Sequence, residues 1–307
     1  MPELPEVENV RLALLPRLVG RRVVEARLRR ADVLRVGGVR GGGGGGGAGA
    51  RSAQRTLQGQ ALLAGQRIVD IQRLGKQLAL IDDGGACVCV HLGMSGSLRF
   101  EAGGTRPPAA VDGHAHVVWR LAGSGGAGDQ PGGRGGGGGW VIFRDPRRFG
   151  GVWAYPSLAA LEAERWARLG PDALAVTPGP LHRRLQGTRR AVKAALLDQG
   201  VVAGLGNIYV DELLHGCGLS PTRVAATLGR DEVTRLVRRM RALLTRAIAA
   251  GGSTFRDYVN GDGETGRYQG QHRVYGRAGE ACRGCRSSLA TAVVAGRTTV
   301  WCRRCQG

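Results

Sequence analysis

Four cysteines close the chain as two Cys-x-x-Cys pairs: Cys282 and Cys285, then, after sixteen intervening residues, Cys302 and Cys305. Two tight turns of this kind present four thiolates to one tetrahedral centre, which forces the chain between them to double back. The intervening ATAVVAGRTTVW reads as a hairpin with a tight Ala295-Gly296 turn and Arg297 near its tip. A zinc ribbon holding one structural Zn2+ is expected, because four thiolates leave no open position for catalysis. A pair of disulfides is the alternative. It is disfavoured because the start, MPELPEVENV, has acids where a secretory leader has basic and then apolar residues. Cys87, Cys89 and Cys217 sit in apolar or helical contexts and read as ordinary buried thiols.

The formal net charge is +20 over 307 residues. Such an imbalance calls for a polyanionic partner, of which duplex DNA or RNA is the commonest. No apolar run approaches the roughly 18 residues that a spanning helix needs, so no membrane is expected. The reading is a soluble, cytoplasmic, monomeric protein of two or three domains. The charge comes almost wholly from arginine, with lysine only at Lys76 and Lys193. Together with 54 glycines this bias looks like a GC-rich coding background. Most of the arginines are then solvated surface, and a lysine that survives the bias is informative.

Along the chain, residues 3–19 carry Val7, Val10, Leu14 and Leu18 near helical spacing, and Pro2 and Pro5 suit a helix start. Short strand-like runs follow: RVVEARLR, QRIVDIQRL, QLALIDD, ACVCVHLGM, SLRFE, HVVWRL, WVIFRD and GVWAYP. Many short strands with turn signals predict a β-sandwich or barrel. Two Gly-rich inserts, near 37–51 and 123–139, interrupt it and read as loops. From about Ser157 the spacing turns helical, through LAALEAERWARLG, RRAVKAALLDQ, GNIYVDELLHGCG and RDEVTRLVRRMRALLTRAIAAG. The class is α+β, with an N-terminal β domain over 2–156, a helical domain over 157–255 and a C-terminal module over 256–307.

The amino terminus carries candidate chemistry. A small residue after Met permits Met removal, which would leave Pro2 as a free secondary amine. An α-amine has a pKa near 8, roughly, so a useful fraction is neutral at pH 7. Such an amine can attack a sugar C1′ and form an iminium. Glu3 beside it and Glu6 one turn on could shuttle protons. Without that chemistry the segment is a helix start whose acids favour the helix dipole.

MPELPEVE at the start, GNIYVDE in the middle and the terminal ribbon together resemble the formamidopyrimidine-DNA glycosylases. The resemblance continues through HLGMSGSLRF, DPRRFGG, LGPDAL, GGSTFRDYVNGDGETGRYQGQHRVYGRAGEAC and GRTTVWCRRCQ, in family order over nearly the whole chain. It implies an N-terminal β-sandwich, a helix–two-turn–helix domain and a lesion-capping loop from about Arg256 to Tyr275. By the same resemblance Pro2 is the nucleophile and Glu3 the general acid/base. Lys76 contacts phosphate and assists β-elimination; Arg297 grips phosphate and assists δ-elimination. Asn207 holds the phosphate flanking the lesion, although as a bare residue it also reads as a helix N-cap. His114 and Arg189 fall at DNA-contacting positions. Lys193 lies in a family motif with no role assigned.

An enzyme that reaches a sugar carbon in a duplex must flip the nucleotide out. The resemblance assigns Met94, Arg147 and Phe149 to filling the void this leaves. The chemistry suits them: an apolar wedge and a flat ring replace the lost base, and a guanidinium can bond to its orphaned partner. The expected activity is excision of oxidised purines (8-oxoguanine and formamidopyrimidines) from damaged double-stranded DNA, followed by β,δ-elimination at the abasic site. Two rivals stand beside it: the sister enzyme endonuclease VIII, acting on oxidised pyrimidines, and a catalytically silent zinc-ribbon DNA-binding protein.

Overall fold

The computed structural model describes residues 2–37, 59–109, 111–123, 138–253 and 265–307. Most of both Gly-rich inserts, and residues 256–264 of the expected capping loop, lie outside them. The chain forms two compact units. The first holds Pro2 and Glu6–Ala167; the second holds Glu3–Pro5, 168–253 and Gly266–Gly307.

The first unit is a β-sandwich edged by a helix. Helix α1 (Leu4–Leu18) buries Val7, Val10, Leu14 and Leu18, the spacing read from the sequence. All eight sequence-read strands are present: β1 (Val23–Leu28), β3 (Ile68–Leu74), β4 (Gln77–Asp82), β5 (Cys87–His91), β6 (Ser97–Ala102), β7 (Ala115–Leu121), β8 (Gly139–Arg144) and β9 (Gly151–Tyr155). A ninth, β2 (Leu34–Val36), was not legible. It is three residues long and exists through parallel pairing with β9, which no local pattern encodes. Among the described residues the sheets run β1-β7-β8-β6 and β2-β9-β5-β4-β3. Their facing side chains, among them Val117, Trp119 and Phe143 from one and Leu78, Leu80 and Val90 from the other, share one core with the α1 stripe.

Every residue of β4 is buried, as its unbroken apolar run suggests for a central strand covered on both faces. Gly139 was expected to end the second insert but instead opens β8. A Cβ there would lie 2.2 Å from Cζ of Phe100, so the glycine makes room for that ring. Helix α2 (Leu158–Glu164) follows β9, and the Ser157 hydroxyl caps it by accepting from Ala160 N–H at 3.1 Å.

The second unit is helical and ends in the ribbon. It contains α3 (Pro178–Gln186), α4 (Val192–Leu197), α5 (Asn207–Cys217) and α6 (Arg230–Ala249), then β10 (Ala290–Val294) and β11 (Arg297–Trp301). Helix α5 is buried on all sides from Ile208 to His215, which marks it as the centre of this unit. It stops at Gly218, left-handed at φ 69°, with Leu219 N–H bonding back to Leu214 O at 3.0 Å. Helix α6 is amphipathic, burying Val233, Leu236, Val237, Met240, Leu243, Leu244 and Ala247. The expected helix over RRAVKAALLDQ shrinks to six residues: Ala191 before it is extended at ψ 143° and bridges to Val224, and Val192 N–H, an orphan donor of the first turn, goes to Arg223 O at 2.7 Å.

Candidate active site and metal centre

In the second unit the site is organised around the start of α5. Glu3 is 2 % exposed, and its carboxylate accepts Ile208 N–H at 2.9 Å and Tyr209 N–H at 3.4 Å. These are orphan donors of the helix's first turn, so an acid from the chain's start caps a helix two hundred residues away. Leu4 N–H donates to Gly204 O at 3.0 Å and holds the same segment by its backbone. Two glycines make the approach possible. A Cβ on Gly204, which has φ +113°, would lie 2.5 Å from Leu4 Cδ1, and one on Gly206 would lie 2.4 Å from Glu3 Cδ.

The reading of Asn207 as an N-cap needs correction. Gly206 occupies the cap position and Asn207 is the first helical residue. With Glu3 supplying the acceptor, the Asn207 side chain is released for another task. Its Nδ2 donates to Thr298 O at 2.9 Å, one residue from Arg297. Arg297 is exposed at the first position of β11, beside the Ala295-Gly296 turn, whose two residues both have positive φ. The tight turn and the arginine at its tip are therefore as the sequence suggested.

Lys193 and Asp211 form a fully buried ion pair, Nζ to Oδ1 at 2.6 Å with side chains 0 % and 1 % exposed. Lys193 also donates to Thr298 O at 3.3 Å, and Asp211 Oδ2 accepts Val300 N–H at 3.2 Å. The pair thus ties α4 and α5 to β11. Burial pushes the Asp211 carboxyl up to about 6 against the pull of Lys193, and burial pushes the Lys193 ammonium down.

Cys282, Cys285, Cys302 and Cys305 gather their sulfurs within 4.8 Å of one another. None is disulfide-bonded; the Sγ separations for Cys285–Cys302 and Cys282–Cys305 are 3.3 and 4.0 Å. The cluster fits a tetrahedral thiophilic metal ion. Gly284 N–H points at Cys282 Sγ at 3.4 Å, and His215 Nε2 from α5 lies 3.6 Å from the same sulfur.

The first unit carries the other candidates. Pro2 is buried. Lys76 is 8 % exposed in the two-residue turn between β3 and β4, beside Gly75 at φ 58°. It is not the solvated strand lysine that its composition alone would suggest. His91, packed near Lys76, is pushed down to about 4 by burial and by the neighbouring Arg165 and Lys76 cations, with Asp145 pulling the other way. Met94 and Phe149 are apolar yet 37 % and 56 % exposed, on the loops after β5 and β8. The exposed Arg147 guanidinium stacks over the Phe149 ring at 4.9 Å. Apolar side chains this exposed are poorly explained as core, a distinction that residue type alone does not make. His114 is exposed just before β7, and Arg189 is exposed in the connection between α3 and α4.

The formamidopyrimidine-DNA glycosylase N-terminal domain family matches residues 1–152, and the formamidopyrimidine-DNA glycosylase H2TH domain family matches residues 169–259. The formamidopyrimidine-DNA glycosylase of Cereibacter sphaeroides is 40% identical over 316 residues, covering 100% of both chains. This chain belongs to the formamidopyrimidine-DNA glycosylase family. The enzyme of the same name from Xanthomonas campestris pv. campestris is 39% identical over 308 residues, again covering 100% of both. Among solved structures, the MutM (Fpg) protein of Thermus thermophilus matches with TM-score 0.77 and 34% identity over 100% of this chain and 99% of that one. A Lactococcus lactis Fpg mutant in complex with a Fapy-dG containing DNA matches with TM-score 0.80 and 28% identity, covering 99% of each chain.

As a member of this glycosylase family the chain is an enzyme, and three of its buried acids escaped the sequence reading. Asp211 has a signal in hindsight, since its partner Lys193 is one of the two lysines that survive the arginine bias. Glu212 accepts N–H groups from Arg273, Val274 and Tyr275 at 2.8–2.9 Å. It docks a segment sixty residues on, a pairing that no local pattern announces. Asp145 is the third. Among the described residues no helix is long and apolar enough to cross a membrane.

Proposed function

We propose that this chain is a bifunctional DNA glycosylase and AP lyase that removes 8-oxoguanine and formamidopyrimidines from damaged duplex DNA. The observation that carries the reading is the Glu3 carboxylate clasped by the first turn of α5, which anchors the segment directly after Pro2. A nucleophile on a chain terminus is useful only if its neighbours are immobilised, because a misplaced attacking atom forfeits most of the gain from proximity.

In this reading Met1 is removed and the Pro2 nitrogen attacks C1′. The C1′–N9 bond breaks, and the base leaves as its N9 anion, which takes a proton from solvent water. Glu3 accepts the proton shed by the Pro2 nitrogen and returns it to O4′ as the sugar ring opens to the iminium. Loss of a C2′ proton then expels the 3′-phosphate, a step that Lys76 assists. A second elimination, assisted by Arg297, expels the 5′-phosphate, and hydrolysis frees Pro2. Asn207, His114 and Arg189 hold phosphates around the lesion. Met94, Arg147 and Phe149 fill the vacated stack. The four cysteines would bind one Zn2+, whose contribution is structural. The net charge of +20 suits a DNA partner. The enzyme acts as a monomer in the bacterial cytoplasm.

Borohydride reduction during turnover on 8-oxoguanine:cytosine duplex should give a covalent adduct, and peptide mapping should place it on Pro2. An adduct on another residue would remove the nucleophile assignment. Faster excision of thymine glycol than of 8-oxoguanine would favour the endonuclease VIII reading. Failure to trap any adduct, with binding retained, would favour the silent DNA-binding protein.

A further inference from the structure

Asp145 is 0 % exposed, directly after β8, and every polar group it owns is committed to a loop that carries a proposed DNA contact. Oδ1 accepts the Ser95 hydroxyl at 2.7 Å, and Oδ2 accepts Gly150 N–H at 2.7 Å. Its own N–H donates to His114 O at 3.0 Å. Its carbonyl accepts Arg148 N–H at 3.2 Å and His116 Nε2 at 2.8 Å. Ser95 passes the constraint on, because its Oγ also accepts Arg147 N–H at 3.2 Å. Ser95 follows Met94, and Gly150 follows Phe149, so the two carboxylate oxygens grip the two wedge-bearing loops one residue from their apolar tips.

The surrounding backbone shows what this grip resists. Arg148, between Arg147 and Phe149, sits at φ 57°, a left-handed conformation that disfavours a long side chain. The two loops touch backbone to backbone: a Cβ on Gly93 would lie 2.3 Å from Gly150 N, and one on Gly150 would lie 2.4 Å from His91 O. Apolar burial cannot hold tips that are 37 % and 56 % exposed. Hydrogen bonds to one buried carboxylate can.

We infer that Asp145 is the positioning residue that locks Met94, Arg147 and Phe149 into a single preformed wedge, with the His114 loop in register beside it. The inference rests on the proposed void-filling role of those three residues and extends it: the wedge works because it is rigid before DNA arrives. Ordering three separate side chains at the moment of base extrusion would cost conformational entropy, which a preorganised wedge avoids. An amide in place of the carboxylate keeps the size but takes the charge out of both bonds, and with its oxygen kept on Gly150 N–H its N–H2 faces Ser95 Oγ, which must then accept from it instead of donating while still accepting Arg147 N–H, so the grip on both loops weakens.

The test compares single-turnover excision of 8-oxoguanine from a fully paired duplex with excision of the same lesion inside a three-base unpaired bubble. The wedge has work to do in the first and almost none in the second. Asp145→Asn should slow paired excision about thirtyfold, the rate equivalent of losing one hydrogen bond to a charged group. Bubble excision should stay within about twofold, since the chemistry itself is untouched. Ser95→Ala, which removes only the Met94-side limb, should move the same ratio in the same direction by a smaller factor. Met94→Ala and Phe149→Ala serve as reference. If these two shift the ratio while Asp145→Asn and Ser95→Ala do not, the positioning role is wrong and the void-filling reading survives. If none of the four shifts it, the void-filling reading itself falls and takes the inference with it. If Asp145→Asn slows paired and bubble excision equally, Asp145 supports the fold at large and the inference is overturned.

Discussion

Gly206 lacks a side chain where Glu3 needs the space: a Cβ added at Gly206 would stand 2.4 Å from the Glu3 carboxyl carbon and 2.5 Å from Oε1. That contact is far inside van der Waals range, and Glu3, held by two backbone N–H groups, can yield only by giving one up. Gly206→Ala should therefore lower excision by about tenfold to a hundredfold, the equivalent of one hydrogen bond to a charged group. Gly216 is the control. It lies in the same helix with nothing within 4 Å of an added Cβ, so Gly216→Ala should leave activity intact and stabilise by about 0.5–1 kcal/mol. Single-turnover rates and urea melts on both variants check the contrast.

The buried Lys193–Asp211 pair makes a different prediction. Lys193→Met strands a carboxylate that is 1 % exposed, which should destabilise the chain by about 3–5 kcal/mol. Lys193→Met with Asp211→Leu should cost less than the single Lys193 change, because no uncompensated charge remains. Both variants lose the bond from Lys193 to Thr298 O, and the double variant also loses the acceptor for Val300 N–H, so both should weaken DNA binding through a displaced Arg297. Urea unfolding separates the first effect; binding to an abasic-site analogue reads the second. Equal destabilisation by the single and double changes would contradict the pairing argument.

Local pattern and long-range placement divide what the sequence could convey. The strands of the sandwich are legible where half-buried ones alternate, as Leu98, Arg99, Phe100 and Glu101 do in β6, and where central ones run apolar, as residues 78–81 do in β4. The ribbon was legible because cysteine spacing is itself a geometric statement. Strand Leu34–Val36 was not, since its only warrant is β9, more than a hundred residues away. As a bare residue, apart from its phosphate-holding assignment by resemblance, Asn207 reads as an N-cap on good local grounds. A glycine took that position because the capping oxygen comes from Glu3, and sequence distance hides such a donor. The exposed Met94 and Phe149 looked like core by residue type, and only family resemblance set them outside it. Nothing in the sequence singles out Asp145 or Glu212, although each binds backbone groups from elsewhere in its own unit.

Glu8 supplies the pH dependence. Burial works to raise its carboxyl, but bonds from Arg11 and Arg73 outweigh that effect and hold it below the ordinary carboxylate value. The bonds are short, 2.6 Å from Arg11 Nη2 and 2.6 Å from Arg73 Nε, on a side chain 12% exposed. A folded-state pKa below the unfolded one stabilises the fold above the unfolded value of about 4.3, and that stability is lost as pH falls through the folded value. Glu8→Gln should thus be less stable than the parent by about 1–3 kcal/mol at pH 7. The gap should narrow steadily below about pH 4, where the parent protonates. Thermal melts of both proteins from pH 3 to 8 test this, and a constant gap across that range would contradict it.

Metal removal should act on one corner of the molecule first. The small core under the ribbon consists of Val274, Leu289, Val300 and the thiol-bearing Cys282 and Cys302, too little apolar surface to hold a hairpin unaided. Once a chelator strips the ion, β10 and β11 should lose their fixed geometry, and with it Thr298 O as acceptor for Asn207 and Val300 N–H as donor to Asp211. The helical core around α5 and α6 is built from more than twenty buried residues and should persist. Elemental analysis should find one zinc per chain before treatment. Afterwards hydrogen exchange should rise across Ala290–Trp301 while α6 stays protected. Affinity for lesion duplex should fall about tenfold or more, as ribbon contacts to phosphate are lost. Restored zinc should reverse all three changes. Cys282→Ser, which removes a fully buried sulfur, should reproduce the loss and resist the rescue, and full activity in that variant would show that the cluster does not support DNA binding.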